Sequence, residues 1–348
     1  MDIQFNHVKR LSSEDDFNLN NSILVLGRAS NNNLSGEIVK AKNIDEIYKV
    51  FGESELSRAA DYILSSGIEQ VYLYNCFETA NYISVVSKFP HYEFTYIVPI
   101  GINLTDSFYN PIAKKNMLYA EFYLDNLLED TTSTIIMTDR HADLYEDLDH
   151  YLISNEQMLY DLKKDVIKAE IDTEKWTNLI YTCNMLANVE YSSIILACEL
   201  INSTPGSYPK NILFGATYDY DTFDVKHNDM CYFKNNALSR DTSIENLLNL
   251  RPKQDPYKSV LIDSVIKYIR RNLDLSKYIG RYYTKYTKIQ IANDLKKFLN
   301  EISGKMIKNY NIKSIDFVLT GSSVGNVLIE TEITPRGTFE SLQVNLEV

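Results

Sequence analysis

The chain has 348 residues, of which 45% are hydrophobic and 24% are charged. These fractions are typical of globular proteins and exclude disordered, collagen-like and fibrous chains. No apolar run approaches the roughly 18 residues of a membrane span, so we expect no direct contact with a membrane. The first residues do not resemble a signal peptide, which predicts synthesis in the cytoplasm.

Charge is distributed unevenly along the chain. The sequence carries 35 Lys and Arg against 47 Asp and Glu, for a net charge of −12. Residues 251–313 alone hold 15 basic and 5 acidic residues, so this segment has a net charge of +10 and the rest −22. Such asymmetry predicts a surface that binds an acidic partner, either another protein or a second copy of the chain. Nucleic acid is a weaker alternative for this segment, because it contains no recognition motif.

Strand and helix patterns alternate over the first 200 residues. Apolar runs predict strands, whereas capped or amphipathic segments predict helices. Predicted strands cover residues 22–27, 37–41, 71–74, 94–99, 133–138 and 178–183. Predicted helices cover 44–51 after an Asn43 cap, 57–66, 111–128, 156–169 and 192–202. This alternation indicates an α/β domain with a mostly parallel sheet.

The pattern changes after a turn-rich segment at residues 203–209. A loop-rich region extends to about residue 250 and is followed by two amphipathic helices and three strands. We predict the helices at 257–272 and 285–308, and the strands at 314–320, 327–334 and 339–348. The glycine-containing segment 321–325 does not open a helix, so it is predicted to be a hairpin loop.

Residues 341–348 alternate strictly between polar and apolar side chains, which predicts a half-buried strand. Its apolar face consists of Leu342, Val344, Leu346 and Val348. Two interpretations stay open: a local hairpin with the strand at 327–334, or pairing with the sheet edge of a neighbouring subunit. A short extended segment containing Ile3 and Phe5 and ending at Val8 has no evident local partner, which favours donation for that arm.

Few residues suggest catalysis. The four cysteines (Cys76, Cys183, Cys198 and Cys231) show no C-x-x-C spacing, so we expect buried, reduced thiols. Asp139, His141 and Asp143 follow a predicted strand and could bind a metal or act in acid–base chemistry, but a surface loop and helix cap is the favoured explanation. We therefore predict no catalytic, cofactor-binding or metal site. A cytoplasmic, metal-dependent α/β enzyme using these three residues is the main alternative.

Several spaced patterns resemble one protein family. A helix ends in Phe51-Gly52, a helix and proline loop span 195–209, paired helices lie at 259–272 and 291–299, and strands at 325–335 and 340–348 flank a proline turn. This order of features resembles the tail sheath proteins of contractile phages and of R-type bacteriocins (tailocins). The sequence departs from the family pattern before the helix pair, where residues 236–240 replace an Arg-Thr-Leu-like stretch.

The resemblance implies an α/β (α+β) fold in two domains. Residues 21–245 would form an outer α/β domain with a mixed sheet. Residues 246–338 would form an inner, tube-facing α+β domain of two helices and a small β-sheet. An N-terminal arm (1–20) and a C-terminal strand (339–348) would complete the sheets of neighbouring subunits.

The resemblance also implies a function. A sheath subunit polymerises helically around an inner tube and contracts to drive the tube through a target cell envelope, with no enzymatic activity and no cofactor. Its partners would be itself, the inner tail tube protein, and the baseplate and tail terminator proteins, in a virion or tailocin particle assembled in the host bacterial cytoplasm. We expect four basic residues to face the tube, with a solvated helix face as the alternative: Lys285, Lys288, Lys296 and Lys297.

Overall fold

The fold is described from a computed structural model, whose contacts divide the chain into two compact units. The described residues are 8–10, 21–102, 107–127, 132–138, 179–182, 192–207, 209, 231–235, 242–245, 247, 259–319, 325–336 and 344–347. The first unit comprises Met1–Ser203 and Pro209–Lys258, and the second unit comprises Thr204–Tyr208 and Ser259–Val348. The contacts therefore separate the units at Lys258, whereas the sequence suggested a domain boundary at 245–246.

The first unit contains a seven-stranded mixed sheet with the strand order β1-β3-β4-β2-β5-β8-β9. Its strands are β1 (Val8–Arg10), β2 (Ile23–Gly27), β3 (Ile38–Ala41), β4 (Val71–Asn75), β5 (Tyr96–Pro99), β8 (Thr134–Thr138) and β9 (Leu179–Thr182). Five strands (β4, β2, β5, β8 and β9) run parallel to one another. At one edge of the sheet, β3 pairs antiparallel with β4, and β1 pairs antiparallel with β3. Because β2 and β4 are buried along their whole length, their near-continuous apolar sequence is explained. The predicted α/β class with a mostly parallel sheet is confirmed.

Local capping explains the helices that precede β4. In α1 (Ile44–Phe51), the Asn43 side chain accepts a hydrogen bond from the backbone N–H of Asp45, as predicted. In α2 (Glu55–Ser65), the hydroxyl of Ser54 accepts from the N–H of Ser57 in the same way. A short helix α3 (Thr79–Ser84) and a 3₁₀ segment (Val85–His91) follow β4.

The predicted helix at 111–128 is wrong over its first part. The structure has a hairpin of β6 (Ser107–Asn110) and β7 (Lys115–Leu118), and helix α4 begins only at Tyr119 and ends at Asp125. The buried Asn110 side chain accepts hydrogen bonds from the N–H groups of Ile112 and Ala113, which stabilises a turn in place of a helix. Lys114, with φ of 52°, completes this turn.

The remaining described elements of the first unit are α5 (Ser192–Asn202), β10 (Tyr232–Asn235) and β11 (Thr242–Glu245). The bounds of α5 match the predicted helix. The core beside the sheet is rich in tyrosine, and Tyr72, Tyr74, Tyr82 and Tyr123 are fully buried. Burial raises the pKa of Tyr72 to about 12, because the phenolate would lose its hydration there.

The second unit packs two helices with a three-stranded antiparallel sheet. Its elements are α6 (Val260–Asn272), α7 (Lys285–Ile302), β12 (Ile307–Leu319), β13 (Gly325–Pro335) and β14 (Val344–Glu347). Helix α7 ends before the predicted residue 308, because the chain turns at Gly304 and enters β12. Leu319 pairs with Gly325, so segment 321–325 connects a hairpin as predicted.

Gly206 shows how the segment Thr204–Tyr208 joins the second unit. Its backbone N–H donates to the Ser264 hydroxyl at 3.0 Å, and its φ is +82°. A Cβ atom at this position would lie only 2.7 Å from a methyl carbon of Val265. Both the conformation and the close approach to α6 therefore require glycine here. Among the described helices of the chain, none is long and apolar enough to cross a membrane.

Candidate assembly surfaces

The C-terminal strand β14 pairs antiparallel with β13 of its own chain. The register places Val344 opposite Ile333 and Leu346 opposite Thr331, two β13 residues whose side chains are buried. The single chain therefore adopts the local hairpin that the sequence left open beside strand donation. Leu342 and Val348, the other two residues of the predicted apolar face, lie outside the described residues.

The N-terminal segment is described only from Val8. Strand β1 pairs antiparallel with β3, and Val8 lies opposite Ala41. The expectation that this segment lacks a local partner is thus wrong for Val8, because the edge of the first unit's sheet accepts it. Ile3 and Phe5 lie outside the described residues, and their proposed donation stays a prediction.

Helix α7 separates an apolar face from a basic face. Ile291, Leu295, Leu299 and Ile302 are buried at the three- and four-residue spacing of a core stripe. Lys285, Lys288, Lys296 and Lys297 are all exposed, as the positions of Lys296 and Lys297 off this stripe predict. Lys288 lies 3.3 Å from a carboxylate oxygen of Asp316 on β12. For the other three lysines, no ion-pair partner is found among the residues that the structure describes.

Exposed hydrophobic residues lie beside these lysines in the sequence, and we refer to four of them as the exposed patch. We define the patch by four residues with their exposed fractions: Ile279 (83%), Tyr282 (91%), Tyr286 (70%) and Ile289 (49%). Exposed apolar clusters mark interaction surfaces, and tyrosine is enriched at the centres of protein interfaces. Sequence reasoning missed this patch, although Tyr282, Tyr286 and Ile289 repeat at spacings of four and three residues.

A polar cluster attaches the start of this region to α7. The Asp294 carboxylate accepts hydrogen bonds from the Lys277 ammonium, at 2.6 Å, and from the Tyr278 hydroxyl. These bonds, with that of Lys277 the largest contribution, hold the pKa of Asp294 below its ordinary value. The same contact raises the pKa of Lys277. The cluster therefore fixes the 3₁₀ turn Ser276–Tyr278 beside the middle of α7.

The residues considered for catalysis do not form a described site. Asp139, His141 and Asp143 lie outside the described residues. Within the described parts of the chain, no group of three or more His, Cys, Asp and Glu side chains could hold a metal ion. Cys76, Cys198 and Cys231 are buried and form no disulfide, as predicted, and Cys183 is not described. Burial raises the pKa of the Cys198 thiol to about 12, so this sulfur is an unreactive thiol at neutral pH.

Comparison with known proteins gives a clear structural result. The sequence matches no known protein-family profile and has no significant match among curated proteins. The fold, however, is similar to that of a sheath tail protein from Listeria innocua, with a TM-score of 0.62, 10% identity and 94% of each chain covered. A sheath tail protein from Desulfitobacterium hafniense is similar over 100% of both chains, with a TM-score of 0.60 and 10% identity. The chain has the fold of a contractile tail sheath protein.

A third comparison includes an assembled state of the sheath fold. This chain is similar to a chain of the sheath complex of the extracellular contractile injection system PVC in its contracted state, with a TM-score of 0.62 and 12% identity. The similarity covers 100% of this chain and 97% of that one. The similarity therefore extends over both units described above.

Proposed function

We propose that the protein is a structural subunit of a contractile tail sheath, which polymerises helically around an inner tube and contracts to drive that tube through a target cell envelope. The observation that carries this proposal is the similarity to sheath proteins along the full chain. The role is structural and not enzymatic. We place the subunit in the tail of a phage or tailocin particle assembled in a bacterial cytoplasm, with baseplate and tail terminator proteins at its ends.

Strand β14 supports polymerisation through shared sheets. Its described part comprises four residues, and residues 336–343 separate it from β13. A neighbouring copy carries the same strand and can offer the same register to β13, so exchange conserves every ladder hydrogen bond. Because such a contact runs from one copy to the next without closing, repetition produces a filament. The N-terminal arm, including Ile3 and Phe5, would join a neighbour in the same manner.

The basic face of α7 supports a contact with an acidic inner tube. Lys285, Lys296 and Lys297 are exposed and separate from the apolar core stripe. Lys288 is the weaker candidate, since Asp316 already neutralises it within the chain. Exposed ion pairs contribute about 0–1 kcal/mol each. A set of them can hold the sheath on the tube and still release during contraction, which is a rigid-body rearrangement of subunits.

Electron microscopy of the purified chain tests the proposal with two matched double variants. Substituting Val344→Asp and Leu346→Asp places charge at the apolar positions of β14, so we expect soluble monomers in place of tubes. Substituting Asn345→Asp and Glu347→Gln changes the alternate positions of the same strand, and tubes should persist. Tubes formed equally by both variants would contradict β14 pairing as the basis of assembly. The variant His141→Ala should also assemble normally, because no metal chemistry is involved.

A further inference from the structure

One edge of the second unit's sheet is closed at two points by the chain itself. Strand β12 pairs with β13 on one side only. On its other side, the Ile307 carbonyl accepts from the N–H of Gly304 at 2.8 Å. Further along the strand, the Ile315 carbonyl accepts from the Tyr283 hydroxyl at 3.0 Å. We call the stretch between these two points, residues 308–314, the open edge.

The ladder register establishes which way the backbone of β12 faces. Arg336 N–H donates to the Met306 carbonyl, so the backbone of Met306 faces β13. Backbone groups then alternate between the two sides of the strand, with one extra residue after Ile307 and one after Ile312 where the register shifts. This counting turns the backbone groups of Tyr310, Ile312 and Ile315 away from β13. In the described part of the chain, those of Tyr310 and Ile312 have no hydrogen-bond partner on that side.

Tyr283 is held in place by more than its hydroxyl. Its ring stacks on that of Phe317, with centroids 5.1 Å apart and an interplanar angle of 17°. The Tyr283 side chain thus contacts both Ile315 and Phe317 on β12. Asp316, which lies between them in the sequence, forms the ion pair with Lys288. Tyr283 and Lys288 therefore contact β12 at Ile315, Asp316 and Phe317, and these contacts lie outside the open edge.

We propose that Tyr283 determines where the strand-accepting edge of β12 ends. The inference rests on the proposed function, in which neighbouring copies of this chain join strands to each other's sheets, and it takes a second copy as the source of a strand added beside β12. An incoming strand can form ladder hydrogen bonds with Tyr310 and Ile312, but it meets the Tyr283 hydroxyl at Ile315. The open edge of seven residues spans about 24 Å, which suits a short strand. Blocking the remainder of β12 fixes the register of that strand and protects the edge from unspecific pairing.

Hydrogen exchange of the assembled full-length chain tests the proposal. In wild-type polymers, the amides of Tyr310 and Ile312 should gain protection relative to the unassembled chain, and the amide of Phe317 should not. In Tyr283→Phe, which keeps the ring and removes the hydroxyl, the critical concentration for assembly should fall roughly 2- to 10-fold, because the Ile315 carbonyl becomes available. In Tyr283→Ala, protection should extend to Phe317.

Tyr109→Phe and Tyr109→Ala are the matched controls, since Tyr109 lies on β6 of the first unit, is 61% exposed and makes none of these contacts with β12. Both should assemble like the wild type. Protection at Phe317 in wild-type polymers, or Tyr283 variants indistinguishable from the Tyr109 variants, would overturn the proposal. A wild-type chain that forms no polymer would instead contradict the proposed function, so the two failures are distinguishable.

Discussion

The two units of the chain use similar residues in opposite ways. The first unit buries Tyr72, Tyr74 and Tyr82 beside a sheet whose central strands are fully covered. The second unit exposes Tyr282 and Tyr286 and leaves backbone groups on β12 without partners among the described residues. The first unit thus keeps these tyrosines in its own core. The second unit leaves large side chains and backbone groups at its surface, and we propose that assembly uses this unit.

The largest expected effect tests the self-sufficient core of the first unit. Ile23→Ala removes a fully buried side chain from β2, so the free energy of unfolding should fall by about 2–5 kcal/mol. Ile112→Ala, the same substitution at a residue that is 93% exposed, should change it by less than about 0.5 kcal/mol. Urea unfolding followed by circular dichroism measures both. Equal losses would show that the first unit lacks the tight core described here.

A second pair of variants tests the packing of Thr204–Tyr208 in the second unit. Gly206→Ala should lower the free energy of unfolding by about 2–4 kcal/mol, because φ is positive and the new Cβ would overlap Val265. Gly280→Ala shares the positive φ, but no described heavy atom lies within 4 Å of its Cβ position, so about 1–2 kcal/mol is expected. Thermal unfolding of the two variants should separate them, and identical melting would contradict the close approach to α6.

Capping of α1 predicts a smaller effect in the first unit. Asn43→Ala removes the side-chain acceptor for the Asp45 N–H and should lower the free energy of unfolding by about 1 kcal/mol. Asn43→Asp retains an acceptor of the same length and should be close to neutral. Chemical denaturation measures the free energy of unfolding of both variants. If both variants lose the same amount of this free energy, capping is excluded as the cause.

The smallest effect concerns pH and the polar cluster on α7. The pKa of Asp294 is lowered by its bonds to Lys277 and Tyr278, so the stabilisation is present above the unfolded pKa of about 3.9 and is lost as pH falls through the folded value. Asp294→Asn should therefore be slightly less stable than the wild type at pH 7, with the difference vanishing in stronger acid. Glu301→Gln, at an exposed position of the same helix, is the control. A difference that grows in acid would contradict this sign.

Local signals made much of the fold predictable. The Asn43 cap and the stop at Gly52 defined α1, and an uninterrupted apolar run defined β2, because both depend on neighbours in the sequence. The hairpin at residues 107–118 was not predictable in this way. Its turn depends on a buried Asn110, and the helix that follows depends on aromatic residues packing into a core built by distant segments.

The assembly surfaces were predictable only in part. Helical periodicity placed Lys296 and Lys297 on the outer face of α7, since the core stripe is visible in the sequence. The role of Tyr283 was invisible, because it depends on a hydrogen bond to Ile315, 32 residues away. The alternation of residues 341–348 fits a local hairpin and a donated strand equally well, since both use the same face and the same ladder.

Tracing β14 in a helical reconstruction of the assembled chain by cryo-electron microscopy tests the central claim most directly. We predict continuous density from residues 337–343 of one subunit to a strand seated on β13 of the adjacent subunit. Density that returns every such strand to the β13 of its own molecule within the polymer would contradict the account.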